Sequence, residues 1–314
     1  MALPGLLLTA GLLGLATTPA SADSLTTTIS GFGGPFDVAV NPAGTFAYVL
    51  NHSGTTVSVI DLSNNAVTAT IPGFNAPAAI AVNPAGTYAY VTDANNTVTV
   101  IKLRNNKVTA TIPVGPTPYG VAVNPAGTYA YVTNNGNNSV SVINLSKNKV
   151  TATIPGFDGP SDVAVNPAGT FAYVTNFAGA AVSVVNLRKN KITATIPDSN
   201  GPSFVAVNPA GTFAYVTNDG NNTVSVINLR SNKVKATIPV GTTPYGIEVN
   251  PAGTFAYVAN NGNNTMSVIN LSKNKVTATI PVGLGPWGVA FNPAGTYAYV
   301  TNVGSDSVSV IALK

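Results

Sequence analysis

The segment GVAVNPAGTYAYVTNNGNNSVSVINLSKNKVTATIP, residues 120–155, decides the fold. Val121-Ala122-Val123 is a short apolar run closed by Asn124-Pro125-Ala126-Gly127. Asn bonds its own backbone in such a turn, Pro presets φ, and Gly tolerates the left-handed conformation that ends it. Tyr129 to Asn134 then alternates aromatic and small residues at period two, which predicts a strand. The polar loop Asn135–Asn138 leads into a second alternating run, Ser139 to Leu145. Ser146-Lys147-Asn148 turns into a third, Lys149 to Ile154, which Pro155 stops. The four runs, labelled a to d, predict one antiparallel meander.

The pentapeptide Asn-Pro-Ala-Gly-Thr recurs at Asn41, Asn83, Asn124, Asn166, Asn208, Asn250 and Asn292, so the period is 41 or 42 residues. A period in the forties without helical signal is that of a β-propeller blade. The expected fold is therefore all-β: a seven-bladed propeller with four antiparallel strands per blade. The seventh copy ends at Lys314 without a strand d, and Leu25-Thr26-Thr27-Thr28-Ile29 reads like Val67-Thr68-Ala69-Thr70-Ile71 of the first copy. Residues 25–30 are accordingly expected to complete blade 7 as its outermost strand, removing an open sheet edge.

The strand-b sequence Tyr-Val-Thr-Asn, at Tyr131 to Asn134, Tyr173 to Asn176, Tyr215 to Asn218 and Tyr299 to Asn302, preceded each time by the Asn-Pro-x-Gly turn, resembles the YVTN family of β-propeller repeats. Leu50 and Ala259 depart from it where Thr is usual. The resemblance covers residues 31–314 and implies an extracytoplasmic, surface-layer-associated protein, with a fold related to amine-dehydrogenase-type and lactonase-type propellers. It carries little about reaction.

Residues 1–22 read as a secretory signal: an apolar run from Leu6 to Ala16, then Ala20-Ser21-Ala22 as a small-x-small cleavage site before Asp23. Residues 23–314 are expected to be one propeller domain, released or held in the cell envelope without a transmembrane anchor, and monomeric. The absence of cysteine excludes disulfides, a thiol nucleophile and a Cys-linked lipid anchor. One histidine leaves no zinc site, and no Gly-rich loop opens a helix, so neither metal, cofactor nor specific nucleic-acid binding is expected.

In a propeller the a–b and c–d turns share one face, and the b–c and d–a loops share the other. Every basic residue except Lys314 lies at a c–d turn. Blade 2 has Lys102, Arg104 and Lys107; blade 3 has Lys147 and Lys149; blade 4 has Arg188, Lys189 and Lys191. Blade 5 has Arg230, Lys233 and Lys235, and blade 6 has Lys273 and Lys275. The net charge of +4 thus conceals a basic rim, a candidate surface for an anionic cell-wall polymer through salt-sensitive contacts, or a solubilising device that protects strand edges.

Fourteen of the 24 aromatic residues are paired on strand b, as in Tyr129/Tyr131, and are expected in the core. The candidate ligand-binding site is on the other face. Phe36, Tyr119, Tyr245 and Trp287 share one repeat position after a Pro at the start of strand a, with Phe204 one residue further on and Asp37 and Asp162 interleaved. Such a ring suits stacking on a glycan or an apolar protein segment, or simply plugs the channel mouth. Glu248, the only glutamate, replaces an alanine found at this strand-a position in the other six copies. A carboxylate there must face channel water or find a partner. The function expected is a non-catalytic binding or envelope-structural scaffold. The alternative is a lactonase-like or lyase-like enzyme using Glu248, with His52 as a more distant participant.

Overall fold

A computed structural model of the chain describes residues 23–198 and 201–314; the expected leader, 1–22, lies outside the described residues. Seven four-stranded antiparallel sheets make seven blades. In blade 3, strand a is Pro118–Val123, b is Tyr129–Asn134, c is Ser139–Asn144 and d is Lys149–Pro155. Blade 7 runs Pro286–Phe291, Tyr297–Asn302 and Ser307–Ala312, and its fourth strand is Ser24–Ser30 from the start of the propeller. Ile29 pairs with Val308 as Ile154 pairs with Val140, so the expected closure holds in register as well as in topology. Ile29 and Phe32 are buried in a cluster with Val38 and Val49 of blade 1, so the closing strand also packs across the seam between blades 7 and 1. The short 3₁₀ turns among the described residues, such as Asn135–Asn137, lie in b–c loops. No helix among the described residues is long and apolar enough to cross a membrane.

Each element of the repeat has a visible physical task. Asn124 Oδ1 accepts the N–H groups of Thr128 at 2.8 Å and Tyr129 at 3.0 Å, tying the a–b turn to itself. Gly44 has φ of +68°, and a Cβ there would meet Cδ of Pro293, the turn proline of the preceding blade, at 3.1 Å. The same Gly-on-Pro contact recurs at every seam, so the turns interlock around the whole ring.

The Thr and Asn of the strand-b signature are both structural. Thr133 Oγ1 accepts the N–H of Gly120 in its own blade at 2.8 Å and donates to the Ser161 carbonyl of the next blade at 2.8 Å. Thr92, Thr175 and Thr301 make the same clasp to Tyr119, Ser203 and Phe36. Leu50 and Ala259 have no hydroxyl with which to do so. Asn134 donates to Ser139 and Ser141 on strand c, within hydrogen-bonding distance of both and fully buried. In blade 2, Asp93 takes the same place and accepts from Thr97 and Thr99 instead.

The strand-b aromatics divide, contrary to the expectation that all are core. The second of each pair is 2–3% exposed, whereas the first is half-buried and Tyr297 is 41% exposed. Both point to the same side of the strand, but the first sits at its end, where the neighbouring blade no longer covers it.

Candidate functional site

The seven strands a line a central channel, entered from the loop face at their first residues. The position after the repeat's proline reads Phe36, Ala78, Tyr119, Ser161, Ser203, Tyr245 and Trp287 in blade order, the second residue of strand a in every blade except blade 2, whose strand a starts at Ala79. Blades 6, 7 and 1 therefore place three large rings side by side. Trp287 lies 4.0 Å from Tyr245 and 4.2 Å from Phe36, with planes inclined by 31° and 29°. Tyr119 meets Phe36 edge-on at 6.4 Å, and Phe204 meets Trp287 edge-on at 6.5 Å. The five aromatics predicted from sequence are thus one cluster, which plugs part of the mouth by packing on itself. His52 joins it, stacked 4.9 Å from Phe36, with Nδ1 3.1 Å from the Pro77 carbonyl oxygen.

Where the ring drops to serine, in blades 4 and 5, the plug leaves a pocket of about 360 Å³. Its walls are Tyr119, Phe204, Tyr245 and Trp287, with Phe177 48% exposed at its edge. Asn135, Ser161, Ser203 and Asp219 supply polar groups. Trp287 Nε1 is buried with no hydrogen-bond acceptor, an expensive state for an indole N–H. Phe177 and Asp219, loop-face residues left outside the candidate site by the sequence reading, occupy the same repeat position as His52, directly after the last residue of strand b. That position reads His, Ala, Asn, Phe, Asp, Asn, Val around the ring, and its divergence between otherwise similar copies was the available signal.

Below the plug a chamber of about 400 Å³ is lined by Asp37, Asp162 and Glu248 among largely apolar residues. The two aspartates are engaged in the wall. Asp37 accepts from its neighbour Val38 at 2.8 Å and, across the seam, from Ile80 of blade 2 at 3.0 Å. Asp162 accepts from Val205 of blade 5 at 3.0 Å. Gly288 and Gly120 make room for them, since a Cβ at either would lie 2.8 Å from the aspartate oxygen. Burial lifts Asp37 to about 6 and Asp162 to about 7 against the pull of these backbone donors, and Asp37 raises Asp162 further.

Glu248 differs. Its side chain is accessible to channel water yet enclosed deep within the protein, and both facts matter. Loss of bulk solvation, followed by repulsion from Asp162 and Asp37, pushes it up to about 8. It also lines a pocket of about 450 Å³ with Pro209, Pro251 and Pro293, on the side of the a–b turns. Along strand a, Glu248 lies three residues, roughly 10 Å, below Tyr245. Tyr119, Phe204 and Trp287 line the chamber as well as the mouth pocket, so the glutamate and the aromatics share one channel at different depths. Among the described residues no group of His, Asp and Glu has metal-binding geometry. The predicted basic residues stay on the far face, remote from both.

The sequence aligns with a family model described as lactonase, 7-bladed beta-propeller, over residues 21–153, 121–275 and 187–314. The chain belongs to this lactonase-type propeller family. No curated protein matches the sequence. Among solved structures, this lactonase-family chain is similar to hydrazine synthase of Kuenenia stuttgartiensis, with a TM-score of 0.82 at 23% identity, over 90% of this chain and 97% of that one. At that identity the likeness is one of fold alone.

Proposed function

We propose that this protein is a non-catalytic binding propeller of the cell envelope, akin to surface-layer YVTN-type proteins, that holds an uncharged sugar ring in the loop-face pocket beside Trp287. The observation that carries the reading is the composition of that pocket: aromatic walls for the apolar face of a pyranose, and amide, hydroxyl and carboxylate groups at its edge. The leader-like residues 1–22 support an extracytoplasmic setting.

Trp287 is the only tryptophan, so the chain carries its own reporter. Titration with neutral oligosaccharides should shift its emission saturably, and Phe177→Ala should weaken binding about three- to tenfold, the worth of one aromatic stacking contact. A panel of neutral glycans that leaves the emission unchanged rejects the reading.

Family membership and the raised Glu248 favour a second reading, hydrolysis of a lactone from the a–b side of the channel. Turnover of any aldonolactone that vanishes in Glu248→Gln, while the tryptophan titration is unaffected, would establish it in place of the first.

A further inference from the structure

The face opposite the mouth is built from positions at which the copies agree. The first residue of strand d is lysine in five successive blades: Lys107, Lys149, Lys191, Lys233 and Lys275, each 42 residues from the next. All five are exposed. In blade 1 the position is Ala66, paired with Asp61, and in blade 7 it is Ser24, beside Asp23. The cations therefore form an arc over blades 2 to 6, with the gap at the closing seam marked by acids.

Two seams of this arc, between blades 4 and 5 and between blades 5 and 6, carry grooves floored by the half-buried first aromatics of strand b. The groove between blades 4 and 5, about 500 Å³, has Phe171 and Phe213 with Thr170 and Thr212, and Arg230 at its edge. The next, about 430 Å³, has Phe213 and Phe255 with Asn208 and Asn270. Lys235 Nζ stands 5.0 Å from the centroid of Phe213, the ring shared by the two grooves. Cations alone would serve any polyanion, but a periodic row of cations alternating with ring-floored, hydroxyl- and amide-edged grooves is matched to a periodic ligand. The rings are recessed between blades and do not project, which disfavours insertion into a bilayer.

We propose that the c–d face of blades 2 to 6 binds a linear acidic polysaccharide, with its carboxylates on the lysine row and its sugar units in the inter-blade grooves. This site is independent of the mouth pocket and takes a ligand of opposite character.

The test uses the full chain with polygalacturonate as probe, and poly(dT), inorganic polyphosphate and phosphatidylglycerol vesicles as competitors. Affinity for polygalacturonate should fall at least about tenfold between 50 and 200 mM salt, as expected when several ion contacts are lost together. Reversing three charges, Lys149→Glu, Lys191→Glu and Lys233→Glu, should abolish binding while the thermal midpoint is kept. Phe213→Ala should weaken it about threefold with an unchanged salt slope, as loss of one ring contact requires. Trp287→Ala should leave it unaltered. Salt-insensitive binding, an unaffected triple variant, or poly(dT), polyphosphate or vesicles that bind as tightly as polygalacturonate would each overturn the proposal.

Discussion

Blades 4 and 6 present a carboxylate to the same channel and treat it in opposite ways. Asp162 of blade 4 holds a backbone N–H of the next blade, beside a Thr175 hydroxyl that clasps the same neighbour at Ser203. Blade 6 carries Glu248 at the position two residues further along its strand a, and Ala259 stands where the clasping threonine would be. Met266 opposite Ala259, where other copies have valine, refills the space but not the hydrogen bond. A departure from the repeat that acquires partners has become part of the wall. One that bonds no neighbouring blade is free to be lost, or to work.

The largest effect that can test this contrast comes from removing a seam altogether. Deleting residues 23–32 takes away the closing strand and the buried Ile29 and Phe32, two side chains worth about 1.5–3 kcal/mol each by burial. It also leaves strand c of blade 7 as an open edge. The truncated protein should lose its cooperative thermal transition or aggregate. If it melts like the parent, the seams between blades matter less than the blades, and blades 4 and 6 cannot be told apart by their clasps.

Next comes the wall of blade 4. Asp162→Ala leaves the Val205 N–H without its acceptor and should cost about 2 kcal/mol in denaturant unfolding. Asp162→Asn should cost less and should also lower the pKa of Glu248, because it removes one of the two charges that raise it. Carboxyl titration of isotope-labelled glutamate, of which there is only one, reads that coupling directly. An unmoved Glu248 would mean that channel water screens the two groups from each other.

These expectations rest on features with unequal visibility in the sequence. The sevenfold repeat, the closing strand and the aromatic mouth were legible, because each depends on local chemistry: turn residues, period-two alternation and divergence at one repeat position. The tasks of Thr133 and Asn134 were not, since their partners, Ser161 in the next blade and Ser141 on the next strand, become neighbours only when the ring closes. For the same reason Asp37 and Asp162 read as ligand contacts, although their oxygens are held by backbone donors across a seam. The half-buried first aromatics of strand b were assigned to the core because alternation gives the side of a strand, not how far its neighbour extends.

A smaller effect separates the two blades through their clasps. Thr175→Val keeps shape and removes the hydroxyl of blade 4 that accepts from the Asp162 N–H and donates to the Ser203 carbonyl, and should cost about 1–2 kcal/mol. Ala259→Thr restores the consensus in blade 6, but Met266 has taken up the space, so the hydroxyl should bring no gain unless Met266→Val accompanies it. Urea midpoints of the single and double variants measure the coupling. Strict additivity would refute compensation between the two positions.

The smallest expected change is the most telling about Glu248. Its folded pKa, about 8, is above the ordinary carboxyl value of 4.5, so the native state binds the proton more tightly than the unfolded chain. Any stability linked to that proton is fully present below pH 4.5 and is lost as the pH rises through about 8. Glu248→Ala, which restores the residue of the other six copies, should therefore flatten the decline in thermal midpoint between these limits. At pH 9 it should raise the midpoint by about 2 °C, with little difference at pH 4, a shift of that size being what roughly 1 kcal/mol brings in a domain of this length. Differential scanning calorimetry across the range decides it. Parallel curves for wild type and variant would place Glu248 in bulk-like water, and the contrast with Asp162 would then be one of solvation, with no bearing on chemistry.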